Sequence, residues 1–222
     1  MHVQPTNVQS GLTKIFAVES YNGIVYAAGE KDGKPAYQSF DVSTGIPIAG
    51  SVQILPSLDS NNTLGTVRDI QMVNGVVTFI GNSYLSGQSN QGFTWDLAGT
   101  PTVVPSPEGG RLFSGNPDGI VVGFGVVDSA AVGTIGGSLQ ILPQTDGAAI
   151  ALSTDGKWIV GADGNTGAAW FSNDPLSLDY SLANLTIQAN ANGDTPFDFR
   201  SVILDPTSGN YVAFGEYTDS LT

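Results

Sequence analysis

Four of the seven cationic side chains stand at one recurring place in the chain, at or near the start of an apolar stretch that leads into a turn. They are Lys14, Arg68, Arg111 and Arg200, and they include all three arginines. A guanidinium group binds a carboxylate through two parallel hydrogen bonds. If the fold gathers these four positions around one axis, they form a site for an anion such as a sugar carboxylate. The alternative is that each cation neutralises a nearby acid, as in the pair Arg68-Asp69.

Four tyrosines offer a second kind of site, one that stacks on sugars. Tyr21, Tyr84, Tyr180 and Tyr217 lie at predicted strand ends or in loops. A ring with an apolar body and a polar tip suits a binding surface that is partly wet, and an exposed ring can cover one face of a glycan. The alternative is that these rings pack between sheets or at their rims, and the sequence leaves both interpretations open.

Residues for nucleophilic or metal-dependent catalysis are scarce. The chain has no cysteine and one histidine, His2, whereas a Ser-His-Asp site needs a positioned imidazole and soft metals need thiolate or imidazole ligands. Asp69 and Asp198 stand near the starts of apolar stretches and could act as a carboxylate pair on a glycosidic bond. Sixteen Asp residues spread over turns make such a coincidence common. We therefore predict no catalytic residue, no bound metal and no cofactor.

Clusters of Asp and Asn raise the alternative of a calcium site, because this cation prefers oxygen ligands. None of the clusters ends in the glutamate that completes an EF-hand loop, so we interpret them as polar turns. The clusters are Asp59/Asn61/Asn62, Asp163/Asn165 and Asn190/Asn192/Asp194.

The charge of the chain argues against several partners. The formal net charge is −13 at pH 7, and such a field repels both a phosphate backbone and anionic lipid. We expect neither nucleic-acid binding nor membrane insertion, since the longest nearly apolar run, Gly119–Val127, is too short to cross a bilayer. The first residues lack the basic and apolar segments of a signal peptide, so none is expected.

A repeat organises the sequence. Five segments share a glycine, an apolar stretch and a second glycine, and each follows an Asn, Asp or Ser of the kind that tight hairpin turns favour. Each segment is predicted to be the second strand of a hairpin, and its closing glycine should permit close backbone approach where blades converge. The segments are Gly23–Gly29, Gly75–Gly81, Gly119–Gly125, Gly156–Gly161 and Gly209–Gly215.

The turn glycines recur every 37 to 53 residues, which is about the size of a four-stranded propeller repeat. We predict an all-β fold, a single small five-bladed β-propeller over residues 1–222 whose blades are four antiparallel strands. The blades cover approximately 14–57, 66–107, 111–145, 147–190 and 197–222 together with 1–10. A β-sandwich is the main alternative, although it does not explain five copies of one unit. The predicted fourth strands are Gly50–Pro56, Thr102–Pro105, Gly137–Pro143 and Leu185–Gln188, and the first and third of these are nearly identical.

The arrangement of turn, apolar stretch and glycine resembles that of β-propeller repeat proteins over most of the chain. This resemblance implies blades around a central channel. Aromatic pairs such as Phe93/Trp95 resemble the repeat ends of extracellular propellers, and Trp95-Asp96 resembles the dipeptide of WD repeats without its Gly-His partner. The segment Ser153–Trp158 resembles the Asp-box of sialidase-like propellers, in one copy and at shorter spacing. No family's active site maps onto this chain.

The predicted strands fall two short of a five-bladed ring, and Val3–Val8 can supply one of them to close it. For the other there are three alternatives: the last blade has three strands, another protein chain adds a strand to its open edge, or the chain is part of a larger ring. We therefore expect a non-catalytic structural or interaction propeller on an extracellular or virion surface, such as a phage tail or capsid accessory protein. Two alternatives stay open: a lectin-like propeller that binds glycans, and a sialidase-like glycoside hydrolase.

Overall fold

The computed structural model describes residues 11–217 apart from 49, 51, 86–89, 107–108, 126–128, 144–145, 165 and 184–195. Strands dominate this part of the chain, and its helical content is a short 3-10 turn at Pro175–Ser177. The strands are β1 (Lys14–Tyr21), β2 (Ile24–Lys31), β3 (Lys34–Asp41), β4 (Gln53–Ile54), β5 (Gly65–Val73), β6 (Val76–Tyr84), β7 (Asn90–Trp95), β8 (Pro101–Val104), β9 (Arg111–Gly115), β10 (Ile120–Phe124), β11 (Ala130–Thr134), β12 (Gln140–Ile141), β13 (Ala149–Leu152), β14 (Trp158–Asp163), β15 (Thr166–Phe171), β16 (Ser181–Leu182), β17 (Pro196–Leu204) and β18 (Tyr211–Tyr217).

The strands form five antiparallel sheets in chain order. Sheets 1 to 4 contain four strands each, β1–β4, β5–β8, β9–β12 and β13–β16, and the described part of sheet 5 contains β17 and β18. Within each sheet, every strand pairs with the strands that precede and follow it in the sequence. The all-β class and the repeated four-stranded unit are thus confirmed, whereas closure of the five sheets into a ring stays a prediction.

An apolar core lies between each pair of consecutive sheets. A sandwich would have one core between two facing sheets, so the sandwich alternative is wrong. The four cores contain Phe79 and Trp95 between sheets 1 and 2, Ile80 and Leu112 between sheets 2 and 3, Val122 and Trp170 between sheets 3 and 4, and Val160 and Phe199 between sheets 4 and 5.

The turns between first and second strands follow the sequence signal, with one refinement. All five turn glycines have positive φ, between 72° and 80°. In sheets 1 and 2 the preceding residue, Asn22 or Asn74, also has positive φ, which makes the two-residue turn that was predicted. Sheets 3 to 5 have longer turns, closed for example by Asn116 N donating to the carbonyl of Ile120. In these longer turns only the glycine adopts positive φ.

A β-bulge recurs at one place in all five sheets. Opposite a glycine of the second strand, the first strand contains one extra residue, so the register of the pair shifts. A Cβ on that glycine would collide with a carbonyl oxygen of the first strand, which is why the position requires glycine. The glycines are Gly29, Gly81, Gly123, Gly161 and Gly215, and the extra residues are Phe16, Arg68, Phe113, Ile150 and Arg200.

The bulges correct two expectations about the closing glycines. In the third repeat the glycine that lies close to a first-strand carbonyl oxygen is Gly123 and not Gly125, because Gly123 faces the carbonyl oxygen of Arg111. The close approach also lies between two strands of one sheet and not between neighbouring blades, because the bulge pushes a first-strand carbonyl towards the second strand.

The two nearly identical segments have the same role at two seams between sheets. Each contributes a short fourth strand, β4 or β12, followed by a buried leucine and a proline. Trp95 Nε1 of sheet 2 donates a hydrogen bond to the carbonyl of Pro56 at 2.8 Å, and Trp170 Nε1 of sheet 4 donates to that of Pro143 at 3.1 Å. We call this contact the indole strap.

Two predicted strands lie outside the described residues, Val3–Val8 and Leu185–Gln188. The fourth strand of sheet 4 is instead the earlier segment Ser181–Leu182, which pairs with β15. Across the described residues, no helix has the length and apolar character needed to cross a membrane.

Candidate functional site

The first strands of the five sheets, β1, β5, β9, β13 and β17, all contribute lining residues to one cavity of about 420 Å3. The bulge in each strand breaks the regular alternation of side chains, and all five extra residues line this one space. The volume is in the range of pockets that hold small molecules. We call it the axial cavity. Its bulge residues are Phe16, Arg68, Phe113, Ile150 and Arg200.

Arg68 is the charged centre of the axial cavity. Its guanidinium carbon lies 4.2 Å from the centroid of the Phe16 ring and 5.9 Å from that of Phe113, where a ring face attracts a cation. The side chain is half-buried, and among the described residues its buried Nε has no hydrogen-bond partner. Burial lowers the pKa of Arg68, the charge of Arg111 lowers it further, and Glu30 opposes both.

Asp69, the neighbour of Arg68, is occupied by structural hydrogen bonds. Its Oδ1 accepts from Ile70 N at 2.8 Å. Its Oδ2 accepts from Ser114 Oγ at 3.0 Å, Gly115 N at 2.9 Å and Gln71 Nε2 at 3.1 Å. Because two of these donors belong to sheet 3, the carboxylate joins sheet 2 to sheet 3.

Arg200 reaches the axial cavity from sheet 5 and carries its own counter-charges. Its Nη2 lies 3.0 Å from Asp198 Oδ2 and 3.3 Å from Glu216 Oε2. Burial raises the pKa of Asp198, although Arg200 opposes the rise and Glu216 adds to it. The guanidinium of Arg200 is therefore held in place, and its charge is largely offset.

The other two predicted cations stand two residues before a bulge and do not line the axial cavity. Lys14 Nζ forms an ion pair with Glu30 Oε1 at 2.9 Å. The guanidinium carbon of Arg111 lies 5.6 Å from the centroid of the Phe124 ring, its neighbour across the sheet. The structure thus brings Arg68 and Arg200 to one cavity, while Lys14 follows the charge-neutralising alternative.

The tyrosines do not form a common surface. At Tyr180 the packing alternative applies, because the ring packs in the core between sheets 3 and 4 and its hydroxyl donates to the carbonyl of Gly156. Tyr21 packs beside the core of sheets 1 and 2, and its hydroxyl donates to the carbonyl of Ile70 at 3.4 Å. Tyr84 is half-buried at the end of β6, and the side chain of Tyr217 lies outside the described residues.

The turn that resembles an Asp-box joins two sheets. Asp155 Oδ1 accepts hydrogen bonds from Ser153 Oγ and Lys157 N, and Oδ2 accepts from the hydroxyl of Tyr211 in sheet 5. Burial alone would raise the pKa of Asp155, but these hydrogen bonds outweigh it and hold the pKa below its usual value. The same contact raises the pKa of Tyr211 to about 12.

The Asp and Asn clusters behave as turns where they are described. Asp59 Oδ1 accepts from Asn61 N, and Asp163 Oδ1 accepts from Asp146 N. In the described part of the chain, no group of three or more His, Cys, Asp or Glu is placed to hold a metal. His2, Asn165 and the cluster of residues 190–194 lie outside it.

A second candidate site is the face of sheet 1 that would receive a preceding sheet. In sheets 2 to 5 the apolar residues at two first-strand positions pack on the sheet before them and are at most 8% exposed. The same positions in sheet 1 are Ile15 and Val18, which are 45% and 56% exposed. We call this surface the leading face. The buried counterparts are Val67/Ile70, Leu112, Ala149/Leu152 and Phe199/Val202.

Sheet 5 has a matching surface on its opposite side. Phe214 precedes the bulge glycine of β18 and is 53% exposed, whereas its counterparts in sheets 1 to 4 pack on the following sheet and are at most 1% exposed. We call this surface, with Val212 beside it, the trailing face. Among the described residues, β18 pairs with β17 alone. The buried counterparts of Phe214 are Ala28, Ile80, Val122 and Val160.

Sequence reasoning missed three of the five residues that the bulges place in the axial cavity, namely Phe16, Phe113 and Ile150. A usable signal was present. The hairpin turn fixes which first-strand residue pairs with the second glycine of the repeat. The next residue along the first strand is the extra residue of the bulge. A bulge is invisible to a count that assumes strict alternation, and the search concentrated on charged residues.

Comparison with known proteins bears on the fold alone. No protein-family model matches the sequence, and no curated protein matches it. A solved structure that is similar to this chain is Kuenenia stuttgartiensis hydrazine synthase, with a TM-score of 0.51 and 16% sequence identity. The match covers 89% of this chain and 69% of that chain.

Proposed function

We propose that this chain is a non-catalytic structural and interaction module of the β-propeller type. In this proposal the sheets are blades around the axial cavity, and the terminal sheets bind other protein chains. The supporting observation is that Ile15, Val18 and Phe214 are exposed at positions where other sheets bury their apolar side chains. Burying one large apolar side chain contributes about 1.5–3 kcal/mol, so a partner that covers both faces gains substantial free energy.

The partner in this proposal is a second copy of the chain. At the four seams within the molecule, the surface of one sheet that corresponds to the trailing face packs on the surface of the next sheet that corresponds to the leading face. Each copy exposes one face of each kind. Contact between the trailing face of one copy and the leading face of the next is head-to-tail. Such contacts form a ring if the rotation closes and a fibre if it does not. Addition of a strand to the edge of β18 that does not pair with β17 would extend the same interface.

Closure within one chain is the competing prediction. Residues 1–10 would complete sheet 5 and bring it against sheet 1, so the chain's own residues would cover both faces. The two arrangements differ in a measurable way, because closure gives a monomer and head-to-tail contact gives an assembly that depends on concentration.

The setting that we propose is a virion or extracellular surface, for instance a phage tail or a capsid accessory layer. Such surfaces are built from repeated copies of one chain, and head-to-tail contact would join copies of this chain in that way. A chain without cysteine and rich in Gly suits this role without depending on disulfide bonds.

The test uses one variant for each face. Val18→Asp places a charge on the leading face, Phe214→Asp places one on the trailing face, and Leu176→Asp is the control at an exposed site that belongs to neither face. Light scattering coupled to size exclusion, over a range of concentrations, should show assembly for the wild type and the control and monomers for each face variant. An equimolar mixture of the two face variants should form a heterodimer and stop there, because each variant retains one intact face.

A wild-type chain that stays monomeric at every concentration would overturn the assembly. If, in addition, each face variant unfolds more readily than the control, the ring closes within one chain. A mixture of the two variants that remains monomeric while the wild type assembles would show that the contact is not head-to-tail.

A further inference from the structure

The axial cavity combines features that favour an organic anion. The bulge residues supply two aromatic rings, one aliphatic side chain and two guanidinium groups to its lining. The lining also includes the Asp69 carboxylate and the aliphatic side chains of Leu152 and Val202. Small-molecule sites typically join such an apolar lining to a few fixed polar groups. An apolar lining alone would suit a neutral ligand, so the charged groups decide the class.

Arg68 supplies the unmatched positive charge. It forms no ion pair with a carboxylate among the described residues, and its nearest acid in sequence, Asp69, already accepts four hydrogen bonds. Its guanidinium carbon lies over the rings of Phe16 and Phe113, at 4.2 Å and 5.9 Å from their centroids. Its Nε is buried, so the N–H edge that can meet a ligand is the one formed by the two terminal nitrogens of the guanidinium group.

Arg200, with its partners Asp198 and Glu216, forms the side of the cavity that belongs to sheet 5. Arg200 is fixed by Asp198 and Glu216, so the net charge contributed by sheet 5 is not positive. A ligand with a single anionic group at the Arg68 end, and a neutral hydrogen-bonding or apolar body towards sheet 5, suits this asymmetry better than a polyanion does.

We propose that the axial cavity is a binding site for a small carboxylate carried on a ring, the class to which sugar acids belong, with Arg68 binding the carboxylate through its N–H edge and Phe16 and Phe113 packing beside the ring. This site does not depend on assembly through the leading and trailing faces. A planar carboxylate matches the two parallel N–H bonds of a guanidinium group, and aromatic side chains offer apolar area to the ring of the ligand.

The experiment is saturation-transfer NMR with D-glucuronate as probe on the full chain. D-glucose lacks the carboxylate and acetate lacks the ring, so both are matched controls among the ligands. Three variants accompany the wild type: Arg68→Gln removes the charge, Arg68→Lys keeps the charge without the forked donors, and Arg111→Gln removes a nearby charge outside the cavity lining. Thermal melting of each variant establishes that it is folded.

We expect saturable binding of D-glucuronate that is stronger than binding of either control ligand. Affinity should fall about tenfold or more in Arg68→Gln, as loss of a charged hydrogen bond predicts, less in Arg68→Lys, and hardly at all in Arg111→Gln. Absence of binding to the wild type, equal binding of D-glucose, or equal losses at Arg68 and Arg111 would overturn the site. If Arg68→Gln does not fold, undiminished affinity in Arg68→Lys overturns the forked contact.

Discussion

Sheets 1 and 2 have the same strand order, hairpin and bulge, yet their first strands have different surroundings. Val67 and Ile70 on β5 are fully buried against sheet 1, whereas Ile15 and Val18 at the same positions on β1 are exposed. The residue types are alike, so local sequence does not determine the burial. The comparison shows that both sheets have the apolar first-strand residues of an interior sheet. Whether these residues are buried depends on the presence of a preceding sheet.

The largest expected effect on stability comes from a charge placed at the equivalent first-strand position in each of the two sheets. Ile70→Asp puts an unpaired carboxylate into the core of sheets 1 and 2, which should lower the free energy of unfolding by more than about 4 kcal/mol. Val18→Asp should change the free energy of unfolding of the monomer by no more than about 0.5 kcal/mol. Urea denaturation at a concentration where the chain is monomeric measures both. Equal losses would mean that β1 is covered in solution by part of the same chain.

A smaller effect should be the same in both sheets, because it arises inside each sheet. Gly81→Ala in sheet 2 and Gly29→Ala in sheet 1 both place a Cβ against a first-strand carbonyl oxygen at the bulge. Each should destabilise the chain by about 1–3 kcal/mol, as overpacking does. The same urea measurements apply. A loss confined to Gly81→Ala would show that the bulge of sheet 1 relaxes freely, and that sheet 1 lacks the fixed geometry of an interior sheet.

The smallest effect should be a dependence on pH at the seam between sheets 4 and 5. The pKa of Asp155 is held below its usual value in the folded chain, so its contribution to stability is present above pH about 4 and is lost as the pH falls through the lowered pKa. Tyr211→Phe removes one of the hydrogen bonds responsible. It should flatten the acid side of the stability profile, measured by thermal melting from neutral to acidic pH. An unchanged profile would mean that the contact adds nothing to this seam.

The repeat made most of the fold predictable. Paired glycines and turn residues mark hairpins locally, and a sheet of successive hairpins needs no long-range information. The second glycine of the third repeat was misassigned, because Gly123 and Gly125 both close an apolar stretch and only the bulge register separates them. The pairing of Ser181–Leu182 in sheet 4 was missed because two residues carry almost no periodic signal, and the predicted strand Leu185–Gln188 lies outside the described residues.

The candidate site was predictable only in part. Arginines at strand starts are visible in a sequence, and two of them do meet in the axial cavity. The aromatic partners of Arg68 come from sheets 1 and 3, so their meeting depends on how three sheets are arranged. The burial of Tyr180 likewise depends on a core shared by sheets 3 and 4. The exposure of Ile15, Val18 and Phe214 has no local signal, since their counterparts in other sheets look the same.

The indole strap has a consequence for how this chain arose. Straps join sheet 1 to sheet 2 and sheet 3 to sheet 4, whereas sheet 3 has Gly133 at the position equivalent to Trp95, so no indole crosses from sheet 3 to sheet 2 there. The Gln-Ile-Leu-Pro segment and the tryptophan thus alternate from sheet 1 to sheet 4. Tandem duplication of a gene for two sheets accounts for this alternation and for the near-identity of the two proline segments. Such an array can gain or lose whole pairs of sheets in evolution and keep every strap intact.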